Sequence, residues 1–109
     1  MPSSEFFVSH VDVSEWEHDE ETGGLIHMLR STDTVEIGLW KPGPMAGITF
    51  EVELEADETL VVLAGRGRLR INGAAPVELS PGDIVTLPRG AHTSWVVDEA
   101  FCELWVYST

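Results

Sequence analysis

From Leu25 onward the chain is a succession of short apolar or alternating runs broken by turn residues. The runs are Leu25–Leu29, Val35–Trp40, Ile48–Leu54, Leu60–Leu63, Gly67–Ile71, Val77–Leu79, Ile84–Leu87, Thr93–Val97 and Phe101–Tyr107. Nearly all are strand-length and rich in β-branched or aromatic residues, the composition that suits a pleated, half-buried surface. Between them stand Lys41-Pro42-Gly43-Pro44, Asn72-Gly73, Ser80-Pro81-Gly82-Asp83 and Pro88-Arg89-Gly90, each with a backbone reason to turn. Asn72-Gly73 is the sharpest hairpin signal. No stretch carries the apolar stripe of an amphipathic helix. The pattern predicts an all-β domain with little helix, built as a sandwich or a small closed barrel.

Ahead of these runs, Ser14–Thr22 is densely charged and is followed by Gly23-Gly24. Residues 1–24 read as a polar N-terminal arm or loop preceding a barrel domain at 25–109. Trp16 is either an anchor for that arm or part of a solvated segment.

The run Ile48–Glu55 is the most informative about sidedness. Positions 48, 50, 52 and 54 are apolar and positions 51, 53 and 55 are all Glu. In a domain with one core the apolar set points inward and the glutamates face solvent. Trp40, Trp95, Trp105, Phe50 and Tyr107 supply an aromatic interior that reads as a packed core or as the wall of a small-molecule pocket. Arg66, Arg68 and Arg70 alternate and share one strand face. They form an anion-reading ladder or, as the net charge favours, cross-strand partners for the acidic 51-53-55 face. His27 reads as a strand residue with its ring hydrogen-bonded, and His10 and His18 as solvated.

The chain has 109 residues, enough for one domain with a single core. Its 19 acidic residues against six basic ones give a formal net charge of −13. That charge repels phosphate backbones and anionic lipid surfaces, so neither nucleic acid nor a membrane is an expected partner. Cys102 is the single cysteine, so no intrachain disulfide can form. It has no basic sequence neighbour to activate it and reads as a small buried residue. The first residues lack a basic n-region and a long apolar h-region, and no run approaches a membrane span, so a cytoplasmic location is expected. No nucleophile constellation or phosphate-cradling loop appears.

Two glycine-anchored stretches narrow the fold. Glu58-x6-Gly65 matches the second half of G-x5-H-x-H-x3-4-E-x6-G, and Gly82-x5-Pro88-x-Gly90 matches the first half of G-x5-P-x-G-x2-H-x3-N. Sixteen residues containing the Asn-Gly turn separate Gly65 from Gly82. The chain thus resembles the cupins, which implies a double-stranded β-helix, or jelly-roll β-barrel. Gly38-Leu39-Trp40, Asp57-Glu58-Thr59 and Pro88-Arg89-Gly90-x4-Trp95 are similar to the group that includes the cupin domain of (S)-ureidoglycine aminohydrolase and the ethanolamine-utilisation-type cupins. That likeness covers roughly Gly38 to Tyr107.

The metal ligands that the resemblance implies do not carry over. The histidine of the second motif falls on Thr93 and its asparagine on Val97, while His92 is offset by one residue and therefore on the other strand face. With one spacing the two histidines of the first motif become Val52 and Leu54; with the other they become Glu51 and Glu53, which with Glu58 would suit Mn²⁺ or Mg²⁺. The alternation above favours the apolar pair, so no metal set is expected. If a metal is bound, Glu51, Glu53 and Glu58 are the candidate ligands. Glu58 remains as the candidate catalytic residue, a pocket-facing acceptor or general base, or else one half of an ion pair with Arg66, Arg68, Arg70 or Arg89. Trp40, His92, Thr93 and Trp95 are the candidate ligand-binding residues.

Three functions follow. The first is a small-molecule binder that holds an organic metabolite in the barrel without a full metal site. The second is a Mn- or Mg-type enzyme resembling ureidoglycine aminohydrolase, and the third is a structural or accessory homodimer. A homodimer is expected in any case, and whether the protein is an enzyme stays open.

Overall fold

The computed structural model describes residues 8–43 and 48–109. Residues 1–7 of the arm and Pro44 of the Lys41–Pro44 turn lie outside the described residues. Among the described residues there are ten strands and no helix: β1 (Glu17–His18), β2 (Leu25–Ser31), β3 (Val35–Lys41), β4 (Ile48–Glu53), β5 (Asp57–Ala64), β6 (Gly67–Ile71), β7 (Val77–Leu79), β8 (Ile84–Leu87), β9 (His92–Val97) and β10 (Cys102–Ser108). They form a six-stranded sheet in the order β1-β2-β3-β10-β5-β8 and a four-stranded sheet in the order β4-β9-β6-β7. Every pairing is antiparallel, as in the jelly-roll barrel that the motifs imply. Among the described residues no helix is long and apolar enough to cross a membrane.

Alternation decides which side chains meet between the sheets. On β5, Glu58, Leu60 and Val62 are buried, and on β10 Glu103 and Trp105 are buried. From the other sheet come Leu69, Trp95 and Val97, with Leu54 from the end of the β4 run. Phe50 and Val52 pack against this core, whereas Glu51, Glu53 and Glu55 are exposed, as the apolar-Glu alternation predicts. Phe50 stacks on Trp95 with centroids 5.9 Å apart and planes 10° from parallel. Trp40 packs against both Phe50 and Phe101.

Asn72 and Gly73 have φ values of 51° and 74°, and Ala74 N–H donates to Ile71 O at 3.0 Å. Positive φ at both central residues is the turn that this dipeptide predicts. Asn72 is further held by the β9 backbone: its Oδ1 accepts from His92 N–H and its own N–H donates to His92 O.

Two sequence expectations are corrected. The charged segment before Gly23 contains the short strand β1, which pairs Glu17 with Ile26 and His18 with Leu25. Two residues are too few to show alternation, and the free edge of β2 supplies the pairing. The arginine ladder also does not meet the acidic face of β4, because β9 lies between β6 and β4. Arg68 instead pairs with Glu78 of β7 at 2.8 Å.

The described part of the N-terminal segment is docked on β2 and β3. Trp16 Nε1 donates to Val13 O, its ring lies beside His27, and Lys41 Nζ sits 4.3 Å from the ring centroid, a cation–π contact. His27 Nδ1 lies 2.9 Å from Glu15 O. A carbonyl only accepts, so in the neutral ring the proton is on Nδ1 and Nε2 accepts from the Ser9 hydroxyl at 3.2 Å. Trp16 thus acts as the anchor, and the His27 ring is hydrogen-bonded as expected.

Candidate functional site

The ladder register brings the inward residues of β3, β10 and β5 into layers. Trp40, Glu103 and Val62 form one layer; Gly38, Trp105 and Leu60 the next; Glu36, Tyr107 and Glu58 the third. Gly38 is needed in the middle layer, since a Cβ there would stand 2.7 Å from the Trp105 ring. With no side chain at 38, the Trp105 indole lies close over the glycine, and it lines a space between the sheets.

That space is a cavity of about 220 Å³ within the barrel. Trp40, Trp95, Trp105, Phe50 and Tyr107 give it aromatic walls, and Met28 and Val52 lie on its apolar side. Five carboxyl groups line it: Asp19, Glu21, Glu36, Glu58 and Glu103. No lysine, arginine or histidine among the described residues does so. One edge is closed by the segment after β1, where Trp40 Nε1 donates to Thr22 Oγ1 at 2.8 Å and to Asp19 Oδ2 at 3.2 Å.

Glu58 and Glu103 are the deepest of the five, with 8% and 5% of their surface exposed. Neither carboxyl has a hydrogen-bond or ion-pair partner among the described residues. No fully enclosed side-chain oxygen or nitrogen is left unsatisfied there either, so these carboxyl oxygens open onto the cavity. Burial pushes the Glu103 carboxyl well above the usual carboxylate range, and the charge of Glu58 adds to the shift. Burial, and then the Glu21 charge, raise Glu58 to about 7. Burial also raises the Tyr107 phenol, with Glu58 the next cause, so it stays protonated. The site therefore holds one carboxyl whose neutral form burial strongly favours and another poised between acid and base.

The structure sorts the sequence candidates. Trp40, Trp95 and Glu58 line the cavity together. Glu58 has none of the arginine partners considered for it: Arg68 is paired elsewhere, and Arg89 is held near Asp57 only through its backbone N–H. Thr93 is 1% exposed and does not line the cavity. Its hydroxyl donates to Val52 O at 2.8 Å and accepts from Trp95 Nε1 at 3.2 Å, so it ties β9 to β4 and orients the indole. His92 lies on the opposite face of β9 with its ring exposed, and Nε2 is 3.0 Å from Glu51 Oε1. It is not part of the cavity, because no bulge interrupts the β4–β9 register to re-aim it.

The alternation also separates the three glutamates of the alternative metal set. Glu51 and Glu53 are outside while Glu58 is inside, and among the described residues no three His, Cys, Asp or Glu side chains converge closely enough to hold a metal ion. His92 and Ser94 hold the Glu51 carboxyl below the usual carboxylate range, as surface partners do.

The reading of the sequence missed Glu103, Glu36, Asp19 and Glu21 as parts of the site. For Glu103 a signal existed: it shares parity with Phe101 and Trp105, whose aromatic side chains belong inside. Glu36 likewise shares parity with Trp40. No local pattern marks Asp19 or Glu21, which arrive through the docking of their segment. Cys102, read as buried, is half-buried, and burial raises its thiol pKa.

Residues 29–103 match the family model of the EutQ-like cupin domain. The structure of KdgF from Halomonas sp. superposes with a TM-score of 0.75 at 20% sequence identity, covering 98% of this chain and 96% of that one. An RmlC-like cupin from Shewanella frigidimarina gives 0.77 at 18% identity, covering 97% and 91%. The EutQ protein of Clostridium difficile gives 0.67 at 21% identity, covering 84% and 69%. At these identities the likeness is one of fold. No curated protein sequence matches the chain.

Proposed function

The chain belongs to the EutQ-like cupin domain family, and on that premise we propose that it binds a small organic metabolite inside the barrel, without the complete histidine set of a metal-binding cupin. The observation that carries this reading is the cavity itself, whose two deepest polar groups, Glu58 and Glu103, have no protein partner among the described residues. Aromatic walls around a few convergent polar groups are the usual makeup of a small-molecule site. A volume of about 220 Å³ limits the occupant to a small metabolite. A second reading, proton transfer on the bound molecule with Glu58 as the general base, is favoured by the placement of its carboxyl at about 7. In neither reading is a metal required.

The test is ligand-observed NMR with a panel of small amines, carboxylic acids, alcohols and sugars, on the wild type and on Met28→Trp. Met28 is 38% exposed at the cavity, so the larger side chain fills the space without entering the packed core. At least one chemical class should bind the wild type and lose binding in the filled variant. If no class binds, or if binding survives the filling, the barrel is not the site.

A further inference from the structure

Resting on that binding-site reading, we propose that the occupant is an organic cation, an alkylammonium or quaternary ammonium compound, seated among Trp40, Trp95 and Trp105 with Glu58 and Glu103 as its counter-charges.

The charge inventory selects the sign. Among the described residues, five carboxyl groups and no cationic side chain line the cavity. An anionic ligand would meet repulsion and find no guanidinium or ammonium to pair with. A neutral ligand can hydrogen-bond to the two buried carboxyls in their neutral form but supplies no counter-charge to either once it ionises. A cation supplies what the protein lacks. Glu103 and Glu58 are more than nine-tenths buried, have no partner among the described residues, and direct their oxygens into the space.

The walls select the kind of cation. Indole and phenyl faces attract a positive charge through the ring quadrupole, and they do so best when the ion is weakly hydrated. Phe50 and the three tryptophans surround the cavity on several sides. A hard metal ion needs several oxygens at short range instead, and no such convergence exists among the described residues. A diffuse organic charge needs only nearby carboxylates and aromatic faces. The mouth adds Asp19, Glu21 and Glu36, which draw cations toward the entrance, and Tyr107 contributes a neutral hydroxyl.

The coupling to protons gives an independent signature. A bound cation favours the ionised form of each carboxyl, so binding near neutral pH expels protons from Glu58, and affinity rises with pH. The other titratable groups facing the site are Asp19, Glu21 and Glu36 at the mouth and Tyr107 on β10. The first three reinforce the attraction, and the phenol stays protonated.

The experiment is isothermal titration calorimetry on the full chain with probes of matched shape. Choline is compared with 3,3-dimethylbutan-1-ol and 3,3-dimethylbutanoate, and butylammonium with butan-1-ol and butanoate. At least one cation should bind about tenfold or more tightly than its neutral partner, and the anions should bind no better than the neutral compounds. Titration in buffers of different ionisation enthalpy should show proton release. Glu103→Gln and Glu58→Gln keep shape while removing charge; each should weaken the cation about tenfold, and a cooperative urea transition in each variant separates the effect from misfolding. If neither cation outbinds its neutral partner, the inference is overturned. Should other members of the metabolite panel still bind, the cavity reading survives that failure; should nothing bind, both fall.

Discussion

Glu103 stands directly opposite Trp40 in the β3–β10 ladder, so a nearly fully buried carboxyl and an indole enter the same cavity side by side. Val62 flanks Glu103 on the β5 side, and among the described residues no basic side chain lines the space. A protein keeps such a group at a cost in stability, which makes its neighbourhood testable by folding measurements as well as by binding.

The pH dependence of stability should carry the mark of Glu58. Its carboxyl titrates at about 7 in the folded chain against an ordinary 4.5. Between those values the folded state binds more protons than the unfolded one, so stability falls as pH rises through that window. A displacement of this size corresponds to about 3 kcal/mol, present in full at low pH and lost above the folded value. Glu103 acts in the same direction. Urea denaturation of Glu58→Gln should show a flatter profile and a higher midpoint than the wild type in mildly alkaline buffer. A profile identical to that of the wild type would contradict the burial of Glu58.

Glycines at the two kinds of position should respond differently to alanine. At Gly38 the added methyl meets the Trp105 ring at 2.7 Å, so Gly38→Ala has to displace an indole that lines the cavity. The expected cost is about 1–3 kcal/mol, with a change in tryptophan fluorescence. Gly90 has a φ of 89° but no atoms within 4 Å of a Cβ, so Gly90→Ala meets backbone strain alone, about 1 kcal/mol, with the fluorescence unaltered. Equal fluorescence changes in the two variants would show that Gly38 does not make room for Trp105.

Thr93→Val is nearly isosteric but leaves the buried Trp95 Nε1–H without its acceptor and Val52 O without the hydroxyl donor. A loss of about 1–3 kcal/mol is expected from chemical denaturation. Thr93→Ser keeps both bonds and should recover most of it. If valine is tolerated as well as serine, the hydroxyl has no structural role at this position.

The outer face should be silent in binding. Glu51→Ala and His92→Ala break a solvent-exposed pair on the far side of β4 and β9. Both variants should bind any cavity ligand with wild-type affinity. Added Mn²⁺ or Mg²⁺ should not raise the melting temperature of the wild type, because Glu51 and Glu53 do not face Glu58. A metal-dependent rise abolished by Glu51→Ala would reinstate the three-glutamate site.

Much of the architecture is local chemistry and therefore legible in the chain. Alternation in Ile48–Glu55 sorts core from surface, Asn72-Gly73 dictates a turn of positive φ, and Glu58-x6-Gly65 with Gly82-x5-Pro88-x-Gly90 marks the barrel. The same alternation places Thr93 and the apolar Val52 and Leu54 where ligating histidines would stand, and sends Glu51 and His92 outside. These are properties of single strands, whose side-chain period is fixed by the backbone.

The acid-lined character of the cavity is of another kind. Glu36, Glu58 and Glu103 are far apart in the chain and become neighbours only because β10 inserts between β3 and β5. Asp19 and Glu21 join them when their segment closes on Trp40. The chain by itself determines the strands, the turns and which way each residue points. Tertiary pairing alone decides which inward carboxyls share one space, because strand order is set by long-range packing and not by any local period.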